Sequence, residues 1–171
     1  MAKFFSALDM VLAHEGSTYV DDTADSGGAS KFGISLRFYR SKIQADANAE
    51  AIKSLSIIEA SDIYDKYWWQ RAPFAEINDQ KLCNRVFDLA VNMGSSSAIK
   101  CLQQAVNACV AVHLVLDGML GQKTIAEVNK LDALTIYNAL IDAATIHYQA
   151  IVANNPKDAA FLNGWLNRLK T

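Results

Sequence analysis

Long hydrophobic runs are missing from this chain: none approaches the roughly 18–20 residues that a membrane span requires, and no span is expected. Excess positive charge is missing too. Sixteen Lys and Arg against eighteen Asp and Glu leave a formal net charge of −2. Such a surface offers little field to a polyanion, so nucleic acid is not expected as a partner. The three cysteines, Cys83, Cys101 and Cys109, are odd in number and widely spaced, which excludes a disulfide framework. On one straight helix Cys101 and Cys109 would stand about 12 Å apart at 1.5 Å per residue, beyond disulfide reach. Free, buried thiols are expected. Only two prolines occur, Pro73 and Pro156, and both fall where breaks are wanted. No fixed-period repeat or low-complexity segment is present. The early run "FFSALDMVLA" is interrupted by Asp9 and lacks a basic flank and a cleavage site. The expectation is a protein made in the cytoplasm without its own signal peptide.

Metal motifs are also lacking. His14-Glu15 would begin H-E-x-x-H, but the position that needs the second histidine is Thr18. No metal or cofactor is expected. His113 and His147 lie in apolar stretches and read as core or edge residues. Cys83 paired with a histidine has no local signature of a nucleophile.

What the chain does contain is helix periodicity. About half of its 171 residues are apolar and a fifth are charged, enough to bury a core without a staple. Phe4, Phe5, Leu8, Val11 and Leu12 follow the i, i+3, i+4, i+7 template and predict a first helix ended by Gly16. From 18 to 33 the polar residues and Gly27-Gly28 predict a loop or short hairpin, with "FGIS" as a brief strand or turn. Helices are then predicted over 36–45, 56–69, 81–93, 98–108, 121–130, 134–153 and 158–169. Ser56 is the expected N-cap of the second of these, and Glu59 completes its capping box. The fold class is mainly α, with its irregular backbone concentrated near Glu15.

Glu15 continues the apolar stripe of Leu8, Val11 and Leu12 at a helix end. Partial burial disfavours its anion, and so does the negative end of the helix dipole. A glutamate kept protonated is what glycosidic cleavage needs, because the leaving oxygen must receive a proton as the bond breaks. A second, ionised carboxylate must stabilise the sugar cation or activate water. Asp25 follows after nine intervening residues, and Gly27-Gly28 let the backbone double back toward the helix end. Ser30 is a candidate to hold the water. On periodicity alone, a solvated glutamate beside an ordinary turn would be the better reading.

The ordered motifs decide otherwise. His14-Glu15-Gly16-Ser17-Thr18-Tyr19, then Asp22-Thr23-Ala24-Asp25-Ser26-Gly27-Gly28-Ala29-Ser30, then Gly33-Ile34-Ser35 resemble the H-E-G-G-Y, D-P-x-D-x-G-G-x-T and G-I-T pattern of glycoside hydrolase family 108 lysozymes. These are N-acetylmuramidases found among phage endolysins and bacterial secretion activators. The resemblance continues through "YDKYWWQRA", "FDLAVNMGSSSAIKCLQQAVN", "DGMLGQKTIAEVN" and "FLNGWLNRL", and so covers nearly the whole chain. It implies a lysozyme-like helical fold and hydrolysis of the β-1,4 bond between N-acetylmuramic acid and N-acetylglucosamine in peptidoglycan, with Glu15 as general acid. The order Glu15, Asp25, Ser30 is also similar to the Glu, Asp, Thr triad of phage-type lysozymes. That favours Asp25 as second carboxylate and leaves Asp22 in reserve. Ser17-Thr18 replaces the family's second glycine with one residue inserted before Tyr19, and Ser30 replaces a threonine while keeping the hydroxyl. Carboxyls roughly 6.5–9.5 Å apart would give inversion, and about 5–5.5 Å retention.

Downstream, "CLQQAVNACVAVHLVLDGMLGQKTIAEVN" looks like the L-Q…N, D-G-x-x-G-x-x-T signature of small peptidoglycan-binding modules. Asp117-Gly118 and Gly121 predict a tight turn, with Thr124 just inside the next helix. The expected organisation is a catalytic region over 1–95 and a peptidoglycan-binding-like region over 96–171 packed on it. Tyr19, Asp22, Trp68 and Asn92 are the candidate substrate-binding residues. Trp68, within Tyr67-Trp68-Trp69, offers an aromatic face to a sugar ring, and Asn92 offers donors to N-acetyl groups, with helix C-capping beside Gly94 as its plain alternative. The expected partner is peptidoglycan, met by a monomer at the cell wall or in the periplasm after passage through a holin-like pore or another export route. The rival activities are a lytic transglycosylase, which would use the same glutamate without Asp25, and a non-catalytic peptidoglycan-binding or secretion-assembly protein.

Overall fold

Ala7, Leu8 and Val11 share one buried face, and that stripe makes helix α1, Phe4–Glu15. The computed structural model describes residues 1–21, 27–111 and 113–171. Phe5 does not join the stripe and is 70% exposed. Successive residues on a helix point about 100° apart, so only one of the two phenylalanines can face inward. Phe4 does, meeting Phe87 edge-on at 6.1 Å and Trp69 at 5.4 Å between ring centroids. The start of α1 has no side-chain cap of its own. Gln80 holds it instead, accepting from the Lys3 N–H at 2.7 Å and donating to the Lys3 carbonyl at 3.1 Å. Gly16 ends the helix at φ 73°, with its N–H on the Leu12 carbonyl.

Strands β1, Ser30–Lys31, and β2, Ile34–Ser35, pair antiparallel with Lys31 opposite Ile34. Only Phe32 and Gly33 separate them, and both have positive φ, 52° and 75°, as the primed two-residue turn demands. A phenylalanine in that region is strained by roughly 1–2 kcal/mol. Burial of its ring and a 2.8 Å hydrogen bond from the Tyr64 hydroxyl to its carbonyl offset the strain. Helix α2, Leu36–Lys42, follows at once, capped by Ser35. Helix α3, Ala49–Lys53, is capped by Asn48 and was not expected, since five residues are too few to register a 3.6-residue period. Ala29, Leu36, Ala47 and Ile52 form a small second core beneath these elements.

Helix α4, Ile57–Tyr67, opens with the capping box that Ser56 and Glu59 predict. Two 3-10 turns, Trp69–Arg71 and Phe74–Glu76, flank Pro73. Helix α5, Gln80–Met93, buries Leu82, Cys83 and every residue from Arg85 to Ala90. A helix buried all round is a central one, and α1 and α6, Ser95–Cys109, both pack on it. Helix α7, Gln122–Lys130, precedes α8, Ala133–Asn154, which packs along α6 with Ile136, Leu140, Ala143, Ala144 and Tyr148 buried. Helix α9, Ala159–Arg168, docks on α8 where Trp165 stacks on Tyr148 at 5.2 Å. One hydrophobic core runs through the molecule from Ala2 to Leu169. The class is mainly α, as the periodicity predicts.

Cys101 and Cys109 do share α6, and all three cysteines are free, although Cys109 is only half-buried. His147 lies half-buried on α8, whereas His113 is exposed in the connection after α6. That corrects the reading of His113 as a core or edge residue: α6 ends at Cys109, so His113 lies beyond the helix and has no helical face to bury. Among the described residues no helix is long and apolar enough to cross a membrane.

Candidate active site

Glu15 is the last residue of α1, where the chain turns away through Gly16. Its side chain is 24% exposed, the partial withdrawal that its place on the apolar stripe implies. The hairpin doubles back onto it. A Cβ on Gly33 would lie 2.7 Å from Glu15 Cγ, 2.9 Å from its Oε2 and 2.6 Å from the Tyr64 hydroxyl. Gly33 is therefore required twice, for its positive φ and for this approach.

The opposite oxygen of Glu15 meets a cation that the sequence did not reveal. Arg168, the last residue of α9, donates from Nη1 to Glu15 Oε1 at 2.8 Å. Its Nη2 donates to Asp88 Oδ1 at 2.7 Å, and its Nε reaches both Asp88 oxygens at 3.1 and 3.2 Å. Asp88 lies wholly buried on α5. It also accepts from Arg85 Nη1 at 3.2 Å and pairs with His14 Nδ1 at 2.8 Å. Burial works against the Arg168 charge, but its bonds to Asp88, then Glu15, outweigh that and hold the guanidinium above the ordinary arginine range. Arg85, also buried, donates to the Arg168 carbonyl at 2.9 Å and to the Thr171 carbonyl. His14 Nε2 and the Thr171 hydroxyl lie 2.6 Å apart. Two carboxylates, two guanidiniums and an imidazole thus bind α1, α5 and α9 at one point. A buried charge set of this kind is tolerated only when fully paired, and among the described residues no buried side-chain polar atom lacks a partner.

Asp22 and Asp25 lie outside the described residues. Ser30 sits on β1, opposite Ser35, and exchanges backbone hydrogen bonds with Val20. It belongs to the same small hairpin whose tip touches Glu15. Tyr19 donates to Asp21 at 3.0 Å and packs on the second core. Trp68 is half-buried and packs on Phe38 at 4.8 Å and Tyr64 at 5.2 Å, against the main core. Trp69 stacks on Phe74, and the Tyr67 hydroxyl binds the Lys42 carbonyl. Asn92 accepts from Tyr148 at 2.7 Å and lines a pocket of about 310 Å³ with His14, Trp165, Asn167 and Arg168. Arg85, Asp88, Arg168 and Thr171 are the members of this cluster that sequence reasoning missed. The available signal was a charged pair at i and i+3 inside the apolar run of α5. Cys83 is no nucleophile: burial first, then Asp79, pushes its thiol up to about 12.

In the second half the D-G-x-x-G-x-x-T pattern closes a polar knot. Buried Gln103 donates to Asp117 Oδ1 at 2.7 Å, the Met119 carbonyl at 3.1 Å and the Thr124 hydroxyl at 3.3 Å, and accepts from the Gly118 N–H at 3.0 Å. Gly118 turns at φ 73°, where a Cβ would lie 2.8 Å from the Ser96 carbonyl. The motif ties the turn at 117–119 and Thr124 to Gln103 on α6.

Residues 8–94 match the family model of glycosyl hydrolase 108, and residues 97–170 match one described as a predicted peptidoglycan domain. The structure of SagA from Brucella abortus is similar over 98% of this chain and 89% of that one, at 30% identity and a TM-score of 0.77. Among curated proteins none matches the chain. A mainly α, lysozyme-like body that carries this family match defines a glycoside hydrolase. The chain belongs to the glycosyl hydrolase 108 family, with a peptidoglycan-binding domain in its second half, and it is a peptidoglycan hydrolase.

Proposed function

We propose that the protein is an N-acetylmuramidase that cleaves the β-1,4 bond between N-acetylmuramic acid and N-acetylglucosamine. Glu15 is the general acid, Asp25 the ionised partner and Ser30 the hydroxyl that orients water. The observation that carries this reading is the setting of Glu15. It stands at a helix end, three-quarters withdrawn from water, between a hairpin tip that admits no side chain and a fixed guanidinium. Protonated Glu15 delivers its proton to the glycosidic oxygen as the bond to the anomeric carbon breaks. Water adds to that carbon and gives its spare proton to Asp25. The half that follows residue 96 holds the polymer. The place of action is the cell wall, reached through a holin-like pore or another export route.

Digestion of purified peptidoglycan followed by borohydride reduction tests the bond. Reduced muramic acid at the new ends is the expected product. Reduced glucosamine would make the protein a glucosaminidase, ends that resist reduction would make it a lytic transglycosylase, and no new ends would leave a wall-binding protein.

A further inference from the structure

The two oxygens of Glu15 are not equivalent. Oε1 faces Arg168 at 2.8 Å, and a guanidinium can donate but never accept. A proton on Glu15 therefore has no place on the Oε1 side. Oε2 faces the gap left by the missing side chain of Gly33.

We propose that Arg168 is a positioning residue which confines the acid proton to Oε2 of Glu15 and receives the carboxylate formed when that proton leaves. The inference rests on the muramidase reading and adds to it a residue from the peptidoglycan-binding half. In the step itself, the bond between the leaving oxygen and the anomeric carbon breaks with its electron pair on oxygen. The Oε2–H proton passes to that oxygen. Glu15 is left with a full negative charge, shared through Oε1 with a guanidinium already in place. Preorganised charge of this kind stabilises a developing anion without reorganisation during reaction.

What makes Arg168 more than a nearby cation is how it is fixed. Its Nε and Nη2 are taken by buried Asp88. Its carbonyl accepts from Arg85 at 2.9 Å and from the Thr171 hydroxyl at 3.0 Å. Backbone and guanidinium are thus tied separately, leaving Nη1 aimed at Glu15. The charged and titratable groups around Glu15 are Arg168 from α9, Asp88 from α5 behind it, Tyr64 from α4 and His14 on its own helix. Burial, then the charge of Glu15, raises the Tyr64 hydroxyl far above its usual value, so it stays neutral throughout.

The test is the pH dependence of kcat and KM on soluble peptidoglycan fragments for the full-length wild type, Arg168→Gln and Arg168→Lys. Removing a cation beside a carboxyl favours the protonated form. Arg168→Gln should lower kcat at least tenfold with KM within about twofold, and move the alkaline limb to higher pH. Arg168→Lys should return the limb toward wild type without full kcat, because one ammonium cannot hold Asp88 and Glu15 together. An unmoved limb in folded Arg168→Gln overturns the proposal and leaves a structural tie. If Arg168→Gln does not fold, Arg168→Lys decides: reduced kcat at unchanged KM supports the role, and wild-type kcat overturns it. Full activity in Glu15→Gln would instead remove the muramidase reading itself, independently of Arg168.

Discussion

Glu15 and Arg168 stand 153 positions apart in the chain and 2.8 Å apart in the structure. The first lies in the segment that matches the hydrolase family and the second in the segment that matches the peptidoglycan domain. Glu15 is therefore framed by both matched segments, through α1 and the hairpin on one side and through α9 on the other.

Gly33 is the tightest constraint on that frame. In Gly33→Ala the methyl would meet Glu15 and the Tyr64 hydroxyl at under 3 Å and would hold an alanine at φ 75°. We expect activity to fall at least a hundredfold, since a misplacement of about 1 Å near a reacting group has that effect. Stability should fall by about 1–2 kcal/mol from the backbone strain, read from a urea unfolding curve.

Asp88 carries the charge balance of the ion cluster. Asp88→Asn keeps its shape but leaves Arg85 and Arg168 without their shared counter-charge. Breaking a buried pair from one side costs about 3–5 kcal/mol. The variant should unfold at correspondingly lower urea, and its residual activity should be below that of wild type even at temperatures where it remains folded.

Gln103 should matter for stability and not for the chemistry at Glu15. Gln103→Leu would strand the Gly118 N–H and remove the donor shared by Asp117, the Met119 carbonyl and Thr124. A buried group left unsatisfied costs about 1–3 kcal/mol, measured as a shift in the urea midpoint. Turnover of soluble fragments by the folded fraction should be unchanged.

The thiols provide a check on burial. Burial pushes Cys101 up to about 11, and burial and then Asp79 push Cys83 up to about 12. At pH 8 roughly one Cys83 in ten thousand is a thiolate, so it should be silent to an alkylating reagent. Half-buried Cys109 should react alone in the native protein, and all three after unfolding. Mass spectrometry after each treatment counts the labels.

Much of this organisation is legible in the residues. Local signals were sufficient where the structure is made locally: the Ser56–Glu59 capping box, the stop at Gly16 and the long periodic stripe of α8 all formed where the pattern placed them. Phe5 shows the limit of a periodic template, because two adjacent aromatics cannot share one face. The candidate acid was legible because helix end, glycine-rich loop and family motif coincide within some twenty residues. Its surroundings were not. The pairing of His14 with Asp88 spans 74 positions and that of Glu15 with Arg168 spans 153, and no local pattern encodes which distant charges will meet. Asp88 and Arg85 left only a faint trace, as charges where an apolar helix has no surface to offer them. The tight D-G turn was readable from its residue types, but its tie to Gln103 depends on α6 folding beside it.

The central claim is that Glu15 donates the proton. Glu15→Gln keeps the size and the ability to accept from Arg168 through its amide oxygen, but cannot deliver an acidic proton. With far-ultraviolet circular dichroism and thermal unfolding confirming a folded variant, turnover of purified peptidoglycan should fall by at least a hundredfold while wall binding persists. A folded Glu15→Gln protein that releases muropeptides at the wild-type rate would contradict the account.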